Sequence, residues 1–183
     1  MKRFATAPIL LVFLAAPSIA ESPGSGDGAS IDSAVAALYA SVTHPAGGAP
    51  DFARLRALFV AGGLFVPPRR DGEDLRVLDV NGFAALFEKG AAARREKGEA
   101  PSGFQEREIS RHADCFGGVC EIFSTYESRR SPSDAKPFQR GVNAIQLVRG
   151  AQGWRIASVV WDAERADNPI PAELLPRAAP SPQ

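Results

Sequence analysis

The stretch FGGV at residues 116–119 constrains this chain more than any other. Two long runs of alternating residues, Phe104 to Phe116 and Val119 to Arg129, flank Gly117-Gly118. Paired glycines between extended runs specify a two-residue hairpin turn, because type I′ turns need positive φ at both central residues and glycine adopts it without a Cβ clash. The turn sets the register. Cys115 should face Cys120, Ala113 face Ile122, Arg111 face Ser124, and Ile109 face Tyr126 on one side of the sheet. The opposite side should carry His112 against Phe123, Asp114 against Glu121, and Glu108 against Glu127. The first side is the more apolar and is expected to face the core. A slip of one residue would exchange the two sides.

Cys115 and Cys120 are the only cysteines of the 183-residue chain. They sit one pair in from the turn, at a non-hydrogen-bonded position where Cβ atoms come close, so a disulfide is geometrically reasonable. The alternative is a pair of buried free thiols. The N-terminus bears on this choice. Lys2 and Arg3 precede an apolar run from Ile9 to Ala16, and Ser18-Ile19-Ala20 places small residues where a signal peptidase reads. A signal peptide over residues 1–20, cleaved after Ala20, is therefore expected, with a periplasmic or secreted product in an oxidising compartment. The apolar run is too short for a membrane-spanning helix, which needs about 20 residues.

Residues 21–29 (ESPGSGDGA) have the composition of a flexible leader, and residues 176–183 (PRAAPSPQ) that of a disordered tail. The folded domain should run from Ser30 to Leu175. Its first part reads as helices: one entered at Ser30 with Ile31, Val35, Leu38 and Tyr39 on one face, and a second entered at Asp51. Short strands at Leu64–Val66 and Leu75–Val80 follow. A third helix is capped by Asn81 and turns Phe83, Leu86 and Phe87 inward. After the hairpin, Phe138–Arg149 and Trp154–Ala163 read as two more strands. Helices followed by strands argue an α+β fold, with the N-terminal helices packed against a curved antiparallel sheet.

Charge and motifs exclude several functions. Lys and Arg (21) balance Asp and Glu (21), so the basic excess that a phosphate-neutralising nucleic-acid binder needs is missing. No dinucleotide fingerprint, P-loop or nucleophile elbow occurs, and no cofactor is expected. With only His44 and His112, a zinc site has few ligands to draw on. His112, Asp114 and Glu121 could share one face, but a solvated polar face is the simpler account, and no metal is expected.

The segments FQEREISRHADCFGGVCEIFSTYESR, FQRGVNAIQLV and GWRIASVVWDAE, after the helices, resemble the nuclear transport factor 2-like superfamily, and more closely its secreted bacterial SnoaL-like members. The resemblance implies a cone: a bent sheet wrapped round the helices, with a ligand cavity at the wide end and a homodimer through the outer sheet face. It covers most of the mature domain, but this superfold hosts isomerases, cyclases, dehydratases and non-catalytic binding modules alike. Catalytic members use an Asp or a His inside the cone. The register turns His112 and Asp114 outward, and only a slip would bring them in.

The expectation is thus an exported small-molecule-binding or accessory domain, after leader removal free of the membrane. The alternative is a small-molecule isomerase, cyclase or dehydratase with an acid/base group in the cone. A structural dimerisation module is a third possibility. Arg111, Tyr126 and Trp161 are expected to line the cavity with one of Asn143 or Gln146, which have opposite parity on their strand. Such a pocket would prefer a planar apolar ligand with an oxygen acceptor or a carboxylate.

Overall fold

The structure is a computed structural model and describes residues 26–69 and 72–177. The expected signal peptide, the first residues of the leader and the end of the tail lie outside the described residues.

Helix α1 (Ile31–Val42) starts where a reciprocal pair of hydrogen bonds can form. The Ser33 backbone N–H donates to Ser30 Oγ at 3.0 Å, and the Ser30 N–H donates to Ser33 Oγ at 2.9 Å. Its inner face buries Ala34, Val35, Leu38 and Tyr39. Helix α2 (Phe52–Leu58) is capped by Asp51, whose carboxylate accepts from the Arg54 N–H at 2.9 Å. It passes directly into strand β1 (Phe59–Val66).

Helix α3 (Val80–Glu96) is capped by Asp79, which accepts from the Gly82 N–H at 2.7 Å. Asn81, expected as the cap, instead lies one residue inside and accepts from Arg56 Nε at 2.9 Å. The expected strand over Leu75–Val80 is reduced to one bridge between Leu78 and Phe65, because the next residues are taken into the helix.

The remaining strands are β2 (Gln105–Phe116), β3 (Val119–Arg129), β4 (Gln139–Gly150) and β5 (Gly153–Ala163). They form one sheet in the order β1-β5-β4-β3-β2. All neighbours are antiparallel except β1 and β5, which run parallel, so the sheet is mixed and not the purely antiparallel one expected. It curls round α1, which touches β2 on one side and β5 on the other. Among the described residues no helix is long and apolar enough to cross a membrane.

The hairpin begins in the expected register. Phe116 pairs with Val119, Cys115 with Cys120, Ala113 with Ile122 and Arg111 with Ser124. Only Gly117 of the two turn glycines takes a positive φ, 57°, so the turn is not the expected type I′, which needs positive φ at both central residues. Cys115 and Cys120 are joined in a disulfide, with their Cα atoms 4.1 Å apart.

Below Ser110 the register changes. Ser110 pairs with Thr125 and Glu108 with Tyr126, so Ile109 is an extra residue, a β-bulge. Glu108 therefore faces Tyr126, not Glu127, and Arg107 takes the place opposite Glu127. One inserted residue turns Glu108 and Glu106 to the core side and Arg107 to the outside. A second irregularity, at Ala157 on β5, lets both Ile156 and Val159 face the core despite their opposite parity.

Asp27 and Gly28, in the expected leader, are packed on the domain. Asp27 accepts both Nε and Nη2 of Arg54, and Gly28 O accepts from the Trp154 N–H at 2.8 Å. At the other end, a short 3-10 turn at Ala172–Leu174 lies on the outer side of β2 and β3, where Thr125 Oγ1 donates to Leu174 O at 2.6 Å.

Candidate functional site

Between α1, α3 and the inner side of the sheet lies a cavity of about 340 Å³. Its walls are chiefly aromatic: Phe65, Phe83, Phe87, Phe104 and Trp161. Phe65 stacks on Phe83 with ring centres 4.5 Å apart and meets Trp161 edge-on at 6.4 Å. Such walls suit a flat, apolar molecule.

Glu106 stands in this apolar surround. Its backbone is fixed by Thr43, whose Oγ1 accepts from the Glu106 N–H at 3.1 Å and donates to the Glu106 carbonyl at 3.3 Å. Its carboxyl accepts one hydrogen bond, from Ser128 Oγ at 2.9 Å. Burial disfavours the charged form more than that bond favours it, and the pKa is pushed up to about 7. Both protonation states are then populated near neutrality, as a proton-transfer group requires.

Tyr126 is buried beside it, with its own pKa raised by burial first and by the charge of Glu106 second. Among the described residues no group hydrogen-bonds the Tyr126 hydroxyl, and Tyr126 is part of the cavity lining. His44 also lines the cavity. Its Nδ1 lies 3.0 Å from Pro45 O, and a carbonyl only accepts, so Nδ1 carries a proton.

Asn143 enters the cavity at the end of a buried polar chain. Its Nδ2 donates to the Tyr39 hydroxyl at 3.0 Å, and that hydroxyl lies 2.6 Å from Ser124 Oγ. Ser124 Oγ spends its one hydrogen on Glu108 Oε1 at 2.6 Å, so Tyr39 must donate to Ser124. The direction of every bond follows, and the Asn143 amide is held in one orientation. Glu108 is clamped in turn by Arg111, through Nε at 2.9 Å and Nη2 at 2.6 Å, and Arg111 also reaches Asp32.

Tyr126, Asn143 and Trp161 are thus brought together round the cavity. Arg111 is on the inner side of the sheet but closes the polar chain with Glu108 and Asp32, outside the cavity lining. Gln146 is exposed on the outer side, where it accepts from Ser158 Oγ at 3.1 Å. His112 and Asp114 are exposed, 3.1 Å apart, as their register requires.

The polar cavity residues that escape the sequence reading are His44, Arg94, Ser102, Glu106, Arg130 and Gln139. Glu106 is hidden by the bulge. His44, next to Pro45, reads as a helix stop. The available signal was the Glu-x-Glu spacing of Glu106 and Glu108, which in a strand places both on one side.

No family model matches the chain, and no curated protein matches it by sequence. Among solved structures, an NTF2-like protein of unknown function from Silicibacter pomeroyi is 17% identical, with 73% of this chain covering 92% of that one at a TM-score of 0.46. A putative calcium/calmodulin dependent protein kinase II association domain from Xanthomonas campestris is 12% identical, with 74% covering 83% at 0.48. The beta subunit of a benzoate 1,2-dioxygenase from Burkholderia mallei is 15% identical, with 67% covering 83% at 0.42. These neighbours are described in different terms, and none assigns an activity to this chain.

Proposed function

We propose that this chain is an exported, SnoaL-like domain that takes a small, flat, largely apolar molecule into its cone and moves a proton on it with Glu106. The observation that supports this most is the Glu106 carboxyl, with its pKa pushed up to about 7, inside an aromatic cavity. The reaction class is proton abstraction beside a carbonyl, as in an isomerase, cyclase or dehydratase. Glu106 takes the proton, and the hydroxyl of Tyr126 donates to the oxygen on which charge develops. Asn143, held by Tyr39, supplies a fixed amide that orients the molecule.

A neutral bicyclic ketone tests this directly. The protein should accelerate exchange of the α-protons of 2-tetralone into deuterated water, followed by NMR, with a rate that rises with pH through about 7. Glu106→Gln should lower the accelerated rate about 100-fold. If 2-tetralone binds and its protons exchange no faster than in buffer, the cone is a binding site without chemistry.

Export belongs to the same proposal and is compatible with the Cys115–Cys120 disulfide. The main species isolated from the native host should begin near Glu21 by mass spectrometry. An intact Met1 terminus there would remove it.

A further inference from the structure

The mouth of the cavity carries positive charge. Arg94, on α3, and Arg130, just after β3, come from distant parts of the chain and both line the opening. Both are exposed. Among the described residues neither guanidinium meets a carboxylate. Other arginines nearby do: Arg107 and Arg129 are tied to Glu127, Arg111 to Glu108, and Arg140 to Glu164.

Arg130 is also held in place. Its guanidinium carbon lies 3.8 Å from the centre of the Phe138 ring, and its backbone N–H donates to the Asp134 carboxylate at 2.9 Å. That carboxylate is occupied with the backbone, since it also accepts from the Ser131 N–H at 3.0 Å. Gln139, at the same opening, adds an amide with no hydrogen-bond partner among the described residues. Two cations and an amide thus surround the entrance to an aromatic cavity whose one carboxyl, Glu106, is further in.

We infer that the molecule this cavity takes carries an anionic head, a carboxylate or a phosphate ester, held at the mouth by Arg94 and Arg130 while its flat apolar body lies among the aromatic walls. This rests on the reading of the cone as a small-molecule site, and names the class of molecule. A guanidinium pair matches oxyanion geometry better than any neutral group. The arrangement also keeps the anion away from Glu106, whose ionised form would repel it, and aims the body inward. Arg111, the cation expected from sequence to meet such a group, is tied up elsewhere, and the mouth arginines take that part.

Calorimetric titration of the full mature chain with 2-naphthoate, 2-naphthyl phosphate and 2-naphthamide tests the inference. The three share one flat body and differ in the head. At low salt and pH 8 at least one anion should bind about tenfold more tightly than the amide, and the gap should shrink as salt rises. The tighter anion identifies the head as carboxylate or phosphate. Arg94→Met with Arg130→Met should remove the gap while the variant still melts cooperatively. Arg95→Met, also exposed on α3 but outside the cavity lining, should leave the gap intact. An amide that binds as tightly as both anions overturns the inference, as does an anion preference that survives the double substitution. Either result leaves the Glu106 reading standing, since 2-tetralone is neutral. If none of the three naphthalenes binds, the inference falls, and exchange of 2-tetralone then decides the other reading by itself.

Discussion

Glu106→Gln should make the protein more stable at pH 8 and leave its stability nearly unchanged at pH 4. The ordinary carboxyl value is 4.5, and in the fold it is about 7. Between these values the folded state keeps a proton that the unfolded chain has released. Stability therefore falls as pH rises from about 4.5 to 7 and is constant beyond. One pKa unit corresponds to about 1.4 kcal/mol. Water reaching the carboxyl through the cavity trims the effect, so about 1–3 kcal/mol is expected above pH 7.

Glutamine escapes this loss and still accepts from Ser128. Other groups titrate in the opposite sense. Glu127, held low by its bond from Arg129, Asp162 by Arg165, Glu164 by Arg140 and Asp27 by Arg54 contribute stability at neutral pH that is lost as pH falls through their lowered values. The parent curve is a sum of both kinds. The difference between parent and variant isolates Glu106, and urea unfolding at several pH values measures it. Curves that stay parallel from pH 4 to pH 8 would show that the carboxyl titrates normally.

Gly141→Ala should cost about 3 kcal/mol, near the upper end for overpacking. Gly141 pairs with Tyr126 on β3 and with Ala163 on β5. A Cβ there would lie 2.5 Å from the Tyr126 hydroxyl oxygen and 2.6 Å from its Cζ, and closer still to Asp162 O. The backbone carbonyl cannot move without breaking the β4–β5 ladder, and the tyrosine ring is buried. Glycine is there because the ring lies flat over its strand. Part of the cost should vanish in a Tyr126→Leu background, which removes the ring contact and keeps the carbonyl contact. A double-mutant cycle by urea unfolding reads the coupling. Unchanged stability of Gly141→Ala alone would mean that the ring does not rest on this residue.

How far the sequence could be read varied along a single strand. From Cys115 to Arg111 the register followed from the turn, because a glycine pair leaves the chain few ways to reverse. From Ile109 downward it did not follow. Nothing in the residues announces the bulge: no glycine or proline marks it, and isoleucine suits a regular strand as well as a bulged one. Its effect is nevertheless to decide which charges are inside. A regular strand would turn Arg107 inward against Ser128, whereas the bulged one turns Glu106 there.

The cavity residues divide in the same way. Tyr126, Asn143 and Trp161 were legible because large or amide-bearing side chains in apolar strands need an interior place. Arg94 and Arg130 were not, since they look like any surface arginine until both are seen to line one cavity. The parallel pairing of β1 was hidden for a related reason: it depends on a partner at the far end of the domain, and local periodicity carries no information about that.

That partnership has a consequence for how the chain acquires its structure. Phe65 pairs with Val159 and Val66 with Val160, so β1 has its sheet neighbour only in the last strand of the domain. The hairpin of β2 and β3 can close within itself early, while β1 must wait until nearly all of the domain is present. Contacts between such distant residues carry a high loop-closure cost and slow the final assembly. During synthesis the helices and β1 emerge first and remain without their sheet until the last strand of the domain is made.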